Sequence, residues 1–222
     1  MSPEEHLAHI KQTIDYALSK DFTVNLYLED WSSGMRDSRD YLFMMMDELV
    51  KLPIKRFLLP DTLGILNPLQ CVEYMRLMVR RYPNAHFDFH AHNDYDLAVS
   101  NSLAAVLSGA KGLHVTVNGL GERCGNAPLA SVQVILKDMF EAKTNIKEDR
   151  LNDISRLVEG YSGIAVAPNT PVVGDNVFTQ VAGVHADGDN KDKLYCNDLV
   201  PERFGRHREY ALGKNSGKAN IV

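Results

Sequence analysis

The feature that most limits how this chain can fold is a repeated alternation of short extended runs with amphipathic helical stretches. The extended runs fall at residues 23–29 (TVNLYLE), 56–61 (RFLLPD), 86–92 (HFDFHAH) and 113–118 (LHVTVN). The helical stretches that follow them fall at 40–52, 68–81, 96–108 and 129–141. No hairpin signal joins the runs, so each strand returns through a helix and lies parallel to the one before. Each run closes on a polar residue: Glu29, Asp61, His92 and Asn118. These are 32, 31 and 26 positions apart, the length of one strand–helix unit. A glycine-rich phosphate loop of the G-x-G-x-x-G kind follows none of them, which argues against a dinucleotide-binding sheet. The pattern predicts an α/β fold, part of a (β/α)8 TIM barrel.

A closed barrel takes about 250 residues, whereas this chain has 222 and shows four clear units. We expect residues 1–165 to form a partial barrel. One more helix, at 151–161, leads into a Pro/Gly/Asn-rich stretch at 167–190 and a basic tail, so residues 166–222 are expected to begin a post-barrel region. The opening segment, MSPEEHLAHIKQTIDYALSK, reads as a charged amphipathic helix and lacks the apolar core of a signal peptide. No apolar run approaches the ~18 residues that span a bilayer. With a net charge of −5, the chain offers no footprint for nucleic acid or an anionic membrane. Cys71, Cys124 and Cys196 are sparse, odd in number and form no C-x-x-C pair, which fits free thiols in a reducing compartment, the cytoplasm.

The strongest chemical signal is His90-Ala91-His92. Side chains alternate along a strand, so His86, Asp88, His90 and His92 share one face, and Phe87, Phe89 and Ala91 the other. The apolar face suits packing against helices. The polar face would point into a barrel interior that is normally aliphatic. Two imidazoles at the carboxyl end of one strand are placed like a metal-ligand pair, and an isolated H-x-H also reads as a hydrogen-bonded or solvent-facing pair. Asn93 and Asp94 follow at once, where barrel active sites lie. The second signal is the polar, glycine-rich loop NGLGERCGN at 118–126, after the fourth run. Glu122 and Arg123 can pair within it, and Asn126 sits where the N-cap of a helix starting near Ala127 would be. Trp31 and Met44, Met45 and Met46 read as packing residues.

The motifs HAHNDYDLAVSN, VTVNGLGERCGN, LPDTLGILNP and VAGVHADG resemble those of the metal-dependent barrels that include 2-isopropylmalate, homocitrate and citramalate synthases and hydroxymethylglutaryl-CoA lyase. The resemblance covers nearly the whole chain from about Thr23. It implies a divalent cation (Mn, Mg or Zn) held by His90, His92 and Asn126. It implies substrate contacts from Thr62, at the position that binds the keto-acid carboxylate, and we assign Asn93, Glu122 and Arg123 to the same task. It implies Glu29, His185 and Tyr210 as catalytic groups, with Tyr210 placed by looser spacing. The implied activity is condensation of acetyl-CoA, as co-substrate, with a 2-keto acid, and 2-isopropylmalate synthase is the leading assignment. The intact enzyme is expected to be a homodimer with small-molecule partners. The alternatives are homocitrate or citramalate synthase, a hydroxyacyl-CoA lyase and an inactive metal-binding fragment. The family also opens with a strand bearing an Arg-Asp pair whose Asp ligates the metal. Nothing of that kind precedes Thr23, so the first three strands are expected to lie outside this sequence. Residues 31–38 also depart from the family pattern, and relatives continue beyond Val222.

Overall fold

The computed structural model describes residues 1–191, 194 and 196–221. Contact density divides them into two compact units, Met1–Pro128 and Leu129–Val222. No helix among the described residues is long and apolar enough to cross a membrane.

The first unit holds α1 (Pro3–Leu18), β1 (Asn25–Tyr27), α2 (Trp31–Asp37), α3 (Arg39–Leu49), β2 (Arg56–Asp61), α4 (Pro68–Arg81), β3 (Phe87–Ala91), α5 (Ala98–Leu107) and β4 (Gly112–His114). The strands pair in parallel in the order β1-β2-β3-β4, the sheet expected from the sequence. Local chemistry sets the helix starts. Asn67 accepts the Gln70 amide at 2.9 Å, Gln70 accepts the Asn67 amide at 3.1 Å, and Pro68 pre-sets the first turn of α4. Ser2 and Glu5 make the same reciprocal cap on α1. One sheet face is apolar, with Phe57, Leu59, Phe87, Phe89 and Ala91 all buried. Trp31 sets its ring edge-on against both Phe89 and Tyr74, each at 6.3 Å, and Met46, Met75 and Met78 are buried with them.

Several elements differ from expectation, each for a local reason. Strand β4 stops at His114 because the chain then pairs elsewhere. The Thr116 amide donates to Ala127 (3.1 Å), and Thr116 bridges Pro128 in parallel. Helix α5 begins at Ala98 instead of residue 96, because Asp96 takes a left-handed conformation and Asn93 Oδ1 caps the Ala98 amide at 3.0 Å. Residues 31–37 form α2, a helix entered through Asp30, which is also left-handed (φ 55°).

The segment that follows β4 folds back on the ends of β3 and β4. The Asn93 amide donates to Gly125 (2.9 Å), Ala127 to Ala91 (3.2 Å), and Asn126 to Gly119 (2.9 Å). His92 and Asn126 form an isolated antiparallel bridge. Asn126 is therefore paired to the metal-pair strand and does not cap α6 (Leu129–Phe140), which starts three residues later. Gly125 makes the return possible. Its φ is +82°, and a Cβ there would lie 1.9 Å from the Gly119 carbonyl oxygen.

In the second unit, α6 and α7 (Leu151–Ser162) are followed by β5 (Thr179–Gln180), α8 (Gly183–Asn190) and β6 (Glu209–Tyr210), with β5 and β6 paired in parallel. Ala130, Val134, Leu151, Val172, Val173, Phe178 and Phe204 form its core. Arg203 joins Asp138 (2.9 Å) and Glu148 (3.0 Å), with Lys137 on the same Glu148 at 2.6 Å.

Two predictions follow from this packing. Cys71 is fully buried, its thiol faces the Asn101 carbonyl at 3.3 Å, and burial, aided by the charge of Asp61, pushes its pKa up to about 12. Cys124 and Cys196 are exposed. Titration with a thiol reagent should therefore modify two thiols in the native protein and the third only in denaturant. The substitution Gly125→Ala should cost about 1–3 kcal/mol in urea unfolding, because the added methyl overlaps a backbone carbonyl. An unchanged midpoint would mean that the loop takes another path.

Candidate metal and substrate site

Four parallel strands deliver their last residues to the same end of the sheet, so Glu29, Thr62, His92 and the loop carrying Asn118 and Asn126 share that end. The imidazoles of His90 and His92 converge there, with their Nε2 atoms 3.3 Å apart. Burial first, then the neighbouring His92 and His114, push the pKa of His90 down to about 4, against a weaker pull from Glu29. His90 is thus a neutral imidazole at neutral pH, the form that ligates metals. Asn126 donates its Nδ2 to the Leu120 carbonyl at 3.1 Å, while its buried Oδ1 has no hydrogen-bond partner among the described residues. Two convergent imidazole nitrogens and an unpartnered amide oxygen on the adjoining backbone fit a divalent cation. No group of three or more His, Cys, Asp or Glu among the described residues is arranged to hold one.

Beside this pair, the Thr62 hydroxyl donates to Glu29 Oε1 at 2.9 Å and accepts the Asp30 amide at 3.0 Å. Asp61, by contrast, works within its own turn. Its buried carboxylate accepts the Ile65 (3.0 Å) and Leu66 (3.2 Å) amides, and burial raises its pKa despite those bonds. Gly64 brings that turn against β3's loop, since a Cβ there would stand 3.0 Å from the His92 carbonyl oxygen and the Asp94 amide.

The remaining expected residues are placed as follows. Arg123 grips Asp94 with two bonds (2.7 and 3.0 Å) and also donates to the Thr62 carbonyl at 2.7 Å. Its guanidinium holds the Asp94 carboxyl below its usual range. The expected partner Glu122 stands 3.4 Å away and is largely exposed. Asn93 is tied to Asp96 and to the start of α5. His185 and Tyr210 belong to the second unit, His185 in the first turn of α8 and Tyr210 in β6 with its hydroxyl 3.3 Å from Asp189.

Reading the sequence did not single out Tyr27, His114 or Arg56. The structure gathers them with Asp88 on the polar face. Asp88, 1% exposed, accepts from His86 at 2.8 Å and Arg56 at 3.1 Å and lies 3.5 Å from His114 Nε2. The Tyr27 hydroxyl meets His114 Nδ1 at 2.7 Å. Period two was a usable signal, because Tyr27 shares Glu29's strand face.

The profile of the HMGL-like family matches residues 1–158. Homocitrate synthases of Saccharolobus islandicus and Saccharolobus solfataricus are each 41% identical to this chain over 215 residues, covering 97% of it and 46% of their own length. A protein of Methanopyrus kandleri provisionally named an (R)-citramalate synthase is 37% identical over 226 residues, covering 100% of this chain and 43% of its own length. The chain thus spans less than half the length of these curated relatives. Among solved structures, the HMG-CoA lyase of Bacillus subtilis superposes with a TM-score of 0.64 at 23% identity, covering 73% of this chain and 57% of that one, a likeness of fold. An HMG-CoA lyase of Acinetobacter baumannii, solved with coenzyme A and 3-methylmalate, superposes with a TM-score of 0.50 at 28% identity, covering 57% of this chain and 43% of its own. The match over residues 1–158, on a parallel α/β sheet of the same fold, establishes that this chain belongs to the HMGL-like family.

Proposed function

We propose that this chain carries the metal-binding part of an acyltransferase that condenses acetyl-CoA with a 2-keto acid. The observation that carries the reading is the convergence of His90 and His92 Nε2 at 3.3 Å, at the strand end where Glu29 and Thr62 also meet. A divalent cation bound by His90, His92 and Asn126 would supply a Lewis acid for the keto oxygen. The Asp of the family's Arg-Asp pair is the further ligand that the resemblance implies.

The chain's own groups divide the remaining work. Acetyl-CoA must lose a methyl proton, and the resulting carbanion must bond to the keto carbon. Hydrolysis of the thioester then frees CoA. Thr62 has a single hydroxyl proton, which it donates in a hydrogen bond to Glu29. A keto-acid carboxylate taking that proton's hydrogen bond would release Glu29, leaving its oxygen free to act at the reacting centre. His185 and Tyr210 are the proposed acid/base groups from the second unit. Arg123 and Asn93 have their polar atoms committed to Asp94, Thr62, Asp96 and Ala98, so we assign them to shaping the substrate loop, with Glu122 left to face substrate.

The relatives named for homocitrate and citramalate move the choice of keto acid from 2-ketoisovalerate towards 2-ketoglutarate or pyruvate. The complete protein, supplied with acetyl-CoA and each of these three acids, should release CoA with one of them. His92→Ala should abolish that release and lower metal content. Normal activity and unchanged metal content in the variant would make the histidine pair structural.

A further inference from the structure

A metal-bound histidine is normally oriented by a hydrogen bond from its second ring nitrogen to a carboxylate or carbonyl. Here Nδ1 of both His90 and His92 is buried with no hydrogen-bond partner among the described residues. Something else must set the plane of the His90 ring, and the structure shows what touches it. Three aromatic rings stand edge-on to it: His92 at 5.0 Å and 79°, His114 at 6.0 Å and 74°, and Tyr27 at 6.2 Å and 77°.

Two of those rings belong to one hydrogen-bonded array. The parallel register sets Tyr27 beside Leu58, Leu58 beside Asp88 and Asp88 beside Gly112, while His90 pairs with His114 two residues along, on the same face. A Cβ at Gly112 would fall 2.3 Å from Asp88 Oδ1, so the glycine leaves the space that the buried carboxylate fills. From there Asp88 faces His114 Nε2 at 3.5 Å. That favours the tautomer with its proton on Nε2 and leaves Nδ1 to accept from the Tyr27 hydroxyl at 2.7 Å. Tyr27 and His114 thereby lock each other, and the edge of each ring fixes one side of His90.

We propose that Asp88, His114 and Tyr27 form a positioning array that holds the His90 imidazole in its ligating orientation by ring contact, in place of the usual second-nitrogen hydrogen bond. The inference rests on the proposed metal role of His90 and His92. Tyr27 and His114 are positioning residues, since nothing places them on the cation itself.

The test uses Co²⁺, whose visible absorption reports coordination geometry, bound to the complete protein. Tyr27 is 45% exposed, so substitution there should leave the fold intact, as circular dichroism and the melting temperature would verify. Tyr27→Ala and His114→Ala should each weaken Co²⁺ binding by about 10- to 100-fold and shift the absorption bands. His114→Phe, which restores a ring edge without the hydrogen bond, should recover part of the loss. Wild-type affinity and spectrum in Tyr27→Ala and His114→Ala, with binding lost in His90→Ala, would overturn the array and leave the metal pair standing. Binding retained by His90→Ala would overturn the metal reading beneath it.

Discussion

The register of β3 against β2 is the constraint on which the site depends. Five positions pair in line, from Phe57 with Phe87 to Asp61 with Ala91. A slip of one residue would turn His90 and His92 toward the helices and Phe89 into the polar face. The apolar side forbids that slip, because Leu59, Phe89 and Ala91 have no exposed surface and the Phe57 and Phe87 rings sit 6.1 Å apart. Fully burying side chains of this size stabilises by about 1.5–3 kcal/mol each, so a wrong register loses several such terms at once. Beyond the strand, the His92 amide reaches the Asp61 carbonyl at 3.3 Å, which carries the alignment into the loops. Packing on one face thus specifies chemistry on the other.

The polar face is poor material for stability. Asp88 is a buried carboxylate, and removing a charge from water costs several kcal/mol even when it is paired. Of its partners, Arg56 comes from β2, His114 from β4 and His86 from just before its own strand, and a glycine is needed opposite to make room. Left-handed residues gather beyond the carboxyl ends of the strands: Asp30 after β1, Asp96 after β3, and Asn118 and Arg123 after β4. Non-glycine residues held in that conformation are strained and persist where the surroundings over-determine them. Buried charge on the polar face and strain beyond the strands' carboxyl ends mark where an otherwise well-packed sheet gives up stability for arrangement.

Much of this was readable from the sequence, and the division between what was and was not is physical. Periodicity and caps are local, so β2 and α4 fall on their expected bounds, with Asn67-Pro68 and Gln70 sufficient to start the helix. The alternation that placed His90 with Asp88 is local too. What could not be read depends on partners distant in sequence. Arg123 has an acidic neighbour at position 122, yet it bonds to Asp94, 29 residues back, because Gly64 and Gly125 bring those loops together. Asn126 looks like a helix cap by position and becomes a bridge partner of His92 through the loop's return. Tyr27 reaches His114 across 87 residues, and although alternation along the strand sets Tyr27 on Glu29's face, nothing in either segment names the partner.

The loop at 119–126 shows how a backbone can aim a side chain. A Cβ at Gly121 would fall 2.2 Å from Asn126 Nδ2, so the chain wraps the amide too closely for any residue but glycine. The amide's donor is spent on Leu120, inside the same loop. Its acceptor is thereby left buried and unpartnered, although a buried acceptor without a partner costs about 1–3 kcal/mol. Rotating the amide to satisfy the oxygen would strip Leu120 of its donor, so the loop keeps the cost in place. Alongside it, His90 and His92 turn their Nε2 atoms toward each other and leave both Nδ1 atoms equally unpartnered. Asn126 Oδ1 and the two Nδ1 atoms thus stay unpartnered at a cost to the fold, while the Nε2 atoms face each other. On the metal role proposed for His90, His92 and Asn126, that cost would hold the three side chains in place before a cation arrives.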